Sequence, residues 1–393
     1  MNRRAFVMSL AAGGAALLAA ACQQRPATPA PASGAQPATG AQPSPGAQSG
    51  AAPAAAQPAA AGPTFDQLLD GAKREGQLIW SGAVPQTNTA LNNKLIQAFN
   101  QKFGTSIQVQ VLTVPTRDLP SRLVTEARGN TSSVDVAWGS MSGLMQLDTA
   151  GLLDPFDWGG VFGARVTGVQ DSAKRLDDFF SGGSGKGLEW FHLMYCLVYN
   201  TRNIKPDELP KRWEDLADPK WKGQFGFSSL GTPFAILGLK SGEEAASAAV
   251  QKIVANQPKL GRGSPEIVEL VSTGEVAFGV SGPESVESAK RSGAPVDWVV
   301  VDPAAFTRTG IFVPKHASHP NAARLFAAWA AHEGLTIMEQ ESGGVGQVWP
   351  GSGFEIARRI EEMKATIITA ENRQQLQAES ELGAKLARLV TQS

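Results

Sequence analysis

Ten small, donor-rich residues stand where strands are expected to end: Ser81, Gly82, Gly139, Ser140, Ser228, Ser229, Gly231, Thr232, Ser281 and Gly282. Several precede expected helices, where free backbone N–H groups and the helix dipole favour an anionic group. Taken singly, each equally suits the ordinary work of ending a strand or capping a helix. As a set they outline an anion-binding rim. Arg262 and Ser264 lie in a loop that would join this rim, Arg122 is a weaker addition, and Glu284 is the carboxylate placed beside it. Trp138 and Trp80 suit either a flat apolar wall for a ligand or the core.

Other chemistry finds little support. Gly279-Val280-Ser281-Gly282-Pro283 approaches a nucleophile elbow, but Pro283 stands where the motif needs glycine. The chain has no His-Glu-x-x-His pair, no phosphate loop ending in Gly-Lys-Ser/Thr and no cysteine cluster. Of its four histidines, His316 and His319 are three apart before a helix, while His192 and His332 are isolated, so surface or capping roles are expected. Cys196 falls in the apolar run Leu193 to Tyr199 and is expected to be a buried, inert thiol. A net charge of -1 with both signs scattered argues against a nucleic-acid surface. No catalytic residue, metal or cofactor is assigned, and an enzyme is not expected.

The elements that must position the rim alternate along the chain. Thr64 with Gln67 forms a capping box before a helix that ends near Gly76. Strands are expected at Gln77 to Trp80, Ile107 to Leu112 and Val134 to Trp138, with helices between them and a further helix to about Ala150. In the second half, strands are expected over Leu193 to Asn200, Gln224 to Phe227, Val276 to Val280 and Ile311 to Pro314. Pro320 opens a helix that runs through Trp329 and is expected to close at Gly334. This is an α/β pattern with largely parallel sheets, whose ligands bind beyond the carboxyl ends of strands.

The N-terminus carries an address. A basic stretch with Arg3 and Arg4 precedes an apolar run from Ala5 to Ala21, which stops at Cys22. The order is that of an export signal. Ala19-Ala20-Ala21-Cys22 resembles the bacterial lipobox, with Leu18 one place earlier than usual, and Arg3-Arg4-Ala5-Phe6 resembles a twin-arginine signal. From Gln23 to Pro63 the chain is almost wholly Ala, Pro, Gly, Gln, Ser and Thr, a composition expected to form a disordered tether. Cys22 is therefore expected to carry a lipid that holds the chain to a membrane, at its periplasmic or extracellular face.

From Thr64 onward several segments in order resemble bacterial extracellular solute-binding proteins. They are Leu123-Val124-Thr125-Glu126-Ala127-Arg128-Gly129, Val134-Asp135-Val136-Ala137-Trp138-Gly139-Ser140 and Ala150-Gly151-Leu152-Leu153-Asp154-Pro155-Phe156. Leu197-Val198-Tyr199-Asn200-Thr201, the run from Trp213 to Gly223 and the run from His319 to Phe326 complete the set. The nearest match is the ferric-iron-type branch of the type II periplasmic binding proteins. The resemblance implies two α/β lobes with a ligand cleft at the hinge, closing on a small solute and delivering it as a monomer to an ABC permease. By analogy one lobe would hold residues 64–160 and 308–355, the other 161–307 and 356–393. Where iron-binding relatives place a histidine, a carboxylate and a tyrosine pair, this chain has Val84, Ser140 and Pro283-Glu284. Hard ferric ion prefers anionic oxygen ligands, which Val84 and Pro283 lack. Loops matching Gly231-Thr232 and Ser281 bind phosphate or carbonate in relatives. The expectation is thus an anionic organic solute, a phosphate ester, phosphonate or carboxylate, held among Ser81, Gly82, Trp138, Gly139, Ser140, Ser229, Gly231, Thr232, Arg262, Ser281, Gly282 and Glu284. Ferric iron, a sugar or a polyamine in the same fold, or a sensor that hands its closed form to a receptor, are the alternatives.

Overall fold

The computed structural model describes residues 62–82, 88–181 and 183–392. The expected signal segment, Cys22, nearly all of the tether and Val84 lie outside the described residues. The first helix, Phe65–Glu75, starts as its spacing predicts: Gln67 N donates to Thr64 Oγ1 at 3.3 Å and Thr64 N to Gln67 Oε1 at 2.9 Å. It ends at Gly76, whose φ of 65° suits glycine.

Strand β1 (Gln77–Trp80) pairs in parallel with β2 (Gln108–Val111). Trp80 also bridges Val136, just before β3 (Ala137–Ser140). Next come β4 (Leu188–Met194), β5 (Cys196–Asn200), β6 (Phe225–Ser228), β7 (Lys259–Gly261), β8 (Phe278–Ser281), β9 (Val296–Val299), β10 (Ala304–Phe312) and β11 (Ile367–Ile368). In one sheet β10 is central, antiparallel to β3 and β4 and parallel to β11. The other has the order β7-β6-β8-β5-β9, with β6 parallel to β7 and β8, and β5 antiparallel to β8 and β9. Helices Thr232–Ser241, Ser264–Ser272 and Pro283–Arg291 begin within a few residues of the ends of β6, β7 and β8, and Met141–Thr149 begins at the end of β3. The carboxyl ends of the strands are where the sequence places the rim.

Several expectations change. The sheets are mixed, not largely parallel: β10 runs antiparallel to β3 and β4, and β5 to β8 and β9. The strand expected at Ile311 to Pro314 is the end of a longer one, Ala304–Phe312, which starts seven residues earlier. The run Leu193 to Asn200 is not one strand but the end of β4 and all of β5, which belong to different sheets and break at Tyr195. The strand expected from Val134 starts later, because Asp135 turns its carboxylate to Ile79 N at 2.8 Å and to His319 Nδ1 at 2.8 Å. Gly334 does not close its helix: Ala330–Gly334 is a π-helical turn, and the α-helix resumes as Leu335–Ser342.

Candidate functional site

The chain passes from the first sheet to the second through Tyr195 and returns between Val299 and Ala304. The crossings lie side by side, with Tyr195 N donating to Ala305 O at 2.9 Å. Around this point the fold gathers polar side chains from both halves. The Tyr195 hydroxyl lies beside Thr232 and within electrostatic reach of Glu379 and Glu284. Burial, with those two carboxylates, raises its phenol well above the usual tyrosine range.

A cavity of 80 Å³ opens beside the crossing, lined by Ser140, Thr307, Arg308, Thr369, Glu379 and Ser380 among others. Glu379 is 8% exposed, and its Oε2 has no hydrogen-bond partner among the described residues. Burial pushes its carboxyl up to about 7. Glu284, in the first turn of Pro283–Arg291, is partly buried and pushed up to about 7 by the same cause, which outweighs its bonds to its own N–H and to Ser285. Near neutral pH both groups are divided between a donor-bearing acid and a charged acceptor.

Arg308 reaches the cavity from a buried ion cluster. Its guanidinium stacks 4.8 Å from the Trp349 ring centroid, and its Nε lies 3.7 Å from Glu189 Oε1. Glu189 is fully buried and also meets Arg175 NH1 at 3.3 Å, Trp349 Nε1 at 2.9 Å and His192 Nε2 at 3.3 Å. Val348 N donates to His192 Nδ1 at 3.0 Å, so the ring proton sits on Nε2, facing Glu189. Burial alone would raise Glu189, but His192, Arg308 and the Trp349 indole hold its carboxyl down to about 2.

The residues expected from sequence divide. Ser140 is exposed at the cavity, and its Oγ accepts from Gly143 N at 3.5 Å to cap Met141–Thr149. Thr232 joins the Tyr195 cluster, with Gly231 before it in the left-handed region at φ 61°. Glu284 curls over Gly282. Ser229 is held by its backbone, donating to Gly261 O at 3.0 Å. Ser281 is 1% exposed and turns its hydroxyl toward Ser264 O at 3.4 Å, while Gly282 N donates to Ser264 Oγ at 2.9 Å. Ser81 is fully buried and accepts from Trp138 N at 3.3 Å, and Gly139 pairs with Gly310 in the ladder. Trp138 resolves as core: it donates from Nε1 to Gly82 O at 3.1 Å and packs on Trp190 and Phe191. Trp80 is core as well, fully buried against Phe326. Arg262 is not among the residues lining this cavity. Its side chain is 93% exposed and pairs only with Glu266, four residues along its own chain.

Tyr195, Arg308 and Glu379 were not singled out from sequence. Glu379 did leave a signal: it interrupts the apolar stripe of Leu376, Leu382, Leu386 and Val390 on the helix Arg373–Thr391. Arg308 left none, because only the antiparallel register of β10 and β4 brings it over Glu189. Among the described residues no three His, Cys, Asp or Glu converge as metal ligands.

Known proteins resemble this chain in sequence and fold. A Fe(3+)-binding periplasmic protein of Serratia marcescens is 29% identical over 199 residues, 49% of this chain. The match covers 54% of that protein, about half its length. The structure of iron-bound HitA from Pseudomonas aeruginosa superposes with a TM-score of 0.60 at 22% identity, over 78% of this chain and 99% of that one. The periplasmic binding protein AfuA from Actinobacillus pleuropneumoniae, with exogenous fructose-6-phosphate bound, gives 0.57 at 17% identity, over 81% and 99%. These likenesses show the two-lobed periplasmic-binding-protein fold. Residues 94–336 match the family model for bacterial extracellular solute-binding protein, and the chain belongs to that family.

Proposed function

We propose that the chain is a membrane-anchored receptor which captures a small organic solute between its lobes and presents it, as a monomer, to an ABC permease. The solute carries an acidic group, as in a phosphate ester, phosphonate or carboxylate, together with a hydrogen-bond donor. The observation that carries this reading is the small cavity shared by Arg308 and Glu379, whose 80 Å³ suits the acidic group, with the rest of the solute lying beyond it in the cleft. Arg308 and the hydroxyls of Ser140 and Thr307 suit the acidic group, and the unpartnered Glu379 oxygen suits a ligand hydroxyl or ammonium. The lobe boundary falls at Tyr195 in this reading, not near residue 161, because β4 ladders with β10 and only β5 onward joins the second sheet. No catalytic step is assigned.

A thermal-shift panel on the full chain tests it, with phosphate esters, phosphonates, carboxylates, sugars, polyamines and ferric salts. A solute at about a thousandfold over its Kd stabilises by about 4 kcal/mol, enough to raise Tm by several degrees. One anionic class should give that shift, and Arg308→Gln and Glu379→Ala should abolish it. A shift with ferric salt alone would replace this reading with iron binding. For the anchor, metabolic labelling with palmitate should mark the protein and be lost in Cys22→Ser.

A further inference from the structure

A second cavity, of 610 Å³, lies on the first lobe and shares no lining residue with the cleft cavity. Its charged lining is one-sided: Lys102, Arg165 and Arg175 face the single carboxylate Glu333. That carboxylate is already taken, 2.6 Å from Lys102 Nζ. Arg165 has no carboxylate within ion-pair distance among the described residues, and its guanidinium rests 4.7 Å from the Phe65 ring centroid. Arg175 shares Glu189 with Arg308. One wall is the π-helical turn Ala330–Gly334, which carries His332 and Glu333. Such turns are rare and concentrate at functional sites, because the inserted residue re-aims its neighbours. Burial and the nearby Arg175 push His332 down to about 4, so its ring is neutral and leaves the positive field to the arginines.

We propose that this cavity is a second binding site, taking a small oxyanion-bearing molecule such as a phosphate monoester or polycarboxylate between Arg165 and Arg175. Planar guanidiniums pair with two oxygens at once, and the volume falls in the range of small-molecule sites. The inference is independent of what the cleft binds.

Isothermal titration of the full chain with orthophosphate and with citrate tests it, at low and at high salt. At least one anion should bind with one-to-one stoichiometry and weaken as salt rises. Arg165→Gln should weaken it by roughly tenfold or more, and Arg165→Lys, which keeps the charge but not the fork, should restore part. Arg175→Gln would also disturb Glu189, so Arg165 carries the test. Lys102→Gln, on an exposed helix face, is the second variant and should weaken the same anion. The proposal fails if neither anion binds, or if Arg165→Gln and Lys102→Gln bind as the parent does. It fails equally if binding is lost in Thr232→Val, at the cleft, and kept in Arg165→Gln.

Discussion

Glu379 shows how much a single residue can impose on the cleft. Its folded carboxyl titrates near 7, against an ordinary value of 4.5, because burial penalises the charged form. Between those values the folded protein holds a proton that the unfolded chain has released. Stability therefore falls as pH rises from about 4.5 to about 7 and stays lowered above it. Glu379→Gln removes this contribution. Melting curves from pH 5 to 8 should fall less steeply than the parent's, the remaining decline belonging to Glu284, and at pH 8 the variant should exceed the parent by roughly 1–3 kcal/mol. A parent profile that rises across the same window would contradict the assignment. Glu189 behaves oppositely. Its depressed carboxyl stabilises the fold above pH 4.5, and that contribution disappears as pH falls through about 2. Glu189→Gln leaves Arg308 and Arg175 without their shared carboxylate. Urea unfolding at pH 7 should show a loss of about 3–5 kcal/mol.

At the scale of elements, the loop Gly343-Gly344-Val345-Gly346 matters most, because it seats the first lobe on a helix of the second. Gly344 has φ 64°, and a Cβ there would come within 2.5 Å of Pro283 C and O and of Glu284 N. These atoms are backbone at the start of Pro283–Arg291 and have no flexible end to move. Gly344→Ala should therefore destabilise by about 1–3 kcal/mol, read by denaturant midpoint. It should also weaken the solute, since Glu284 shares that turn. A variant as stable as the parent would mean the loop shifts freely. The helices were legible because their signals are local: the capping box at Thr64, Gly76 at the end of the same helix, and Pro320 at a first turn. The strand ends Ser81, Ser140 and Ser281 were legible too, from alternation and glycine. What escaped depends on register between distant segments. A single apolar run, Leu193 to Asn200, conceals a change of sheet at Tyr195, because both of its halves are buried and hydrophobicity alone cannot separate them. Hydroxyls expected to face a ligand, such as those of Ser81 and Ser281, instead satisfy neighbouring backbone, a choice that composition does not express.

At the scale of the whole molecule, the lobes share their largest apolar cluster. It contains Trp190 and Phe306 from the first sheet with Ile267, Val286 and Trp298 packed around the second. The helix Arg373–Thr391 adds a second tie, packing on Thr232–Ser241 and Glu243–Ala255 of one lobe and on Met141–Thr149 of the other. A hinge needs two crossings that bend, but it does not require lobes that fold separately. Unfolding one lobe alone would strip its half of the shared cluster and expose large side chains that neither sheet covers by itself, at roughly 25 cal/mol per Å² of apolar surface. The described residues should therefore unfold in one cooperative step despite their two sheets. Differential scanning calorimetry of the solute-free chain should give a single transition with equal calorimetric and van't Hoff enthalpies. Two resolved peaks would show that each lobe holds its own core, and that the cluster at the crossings contributes closure without contributing cooperativity.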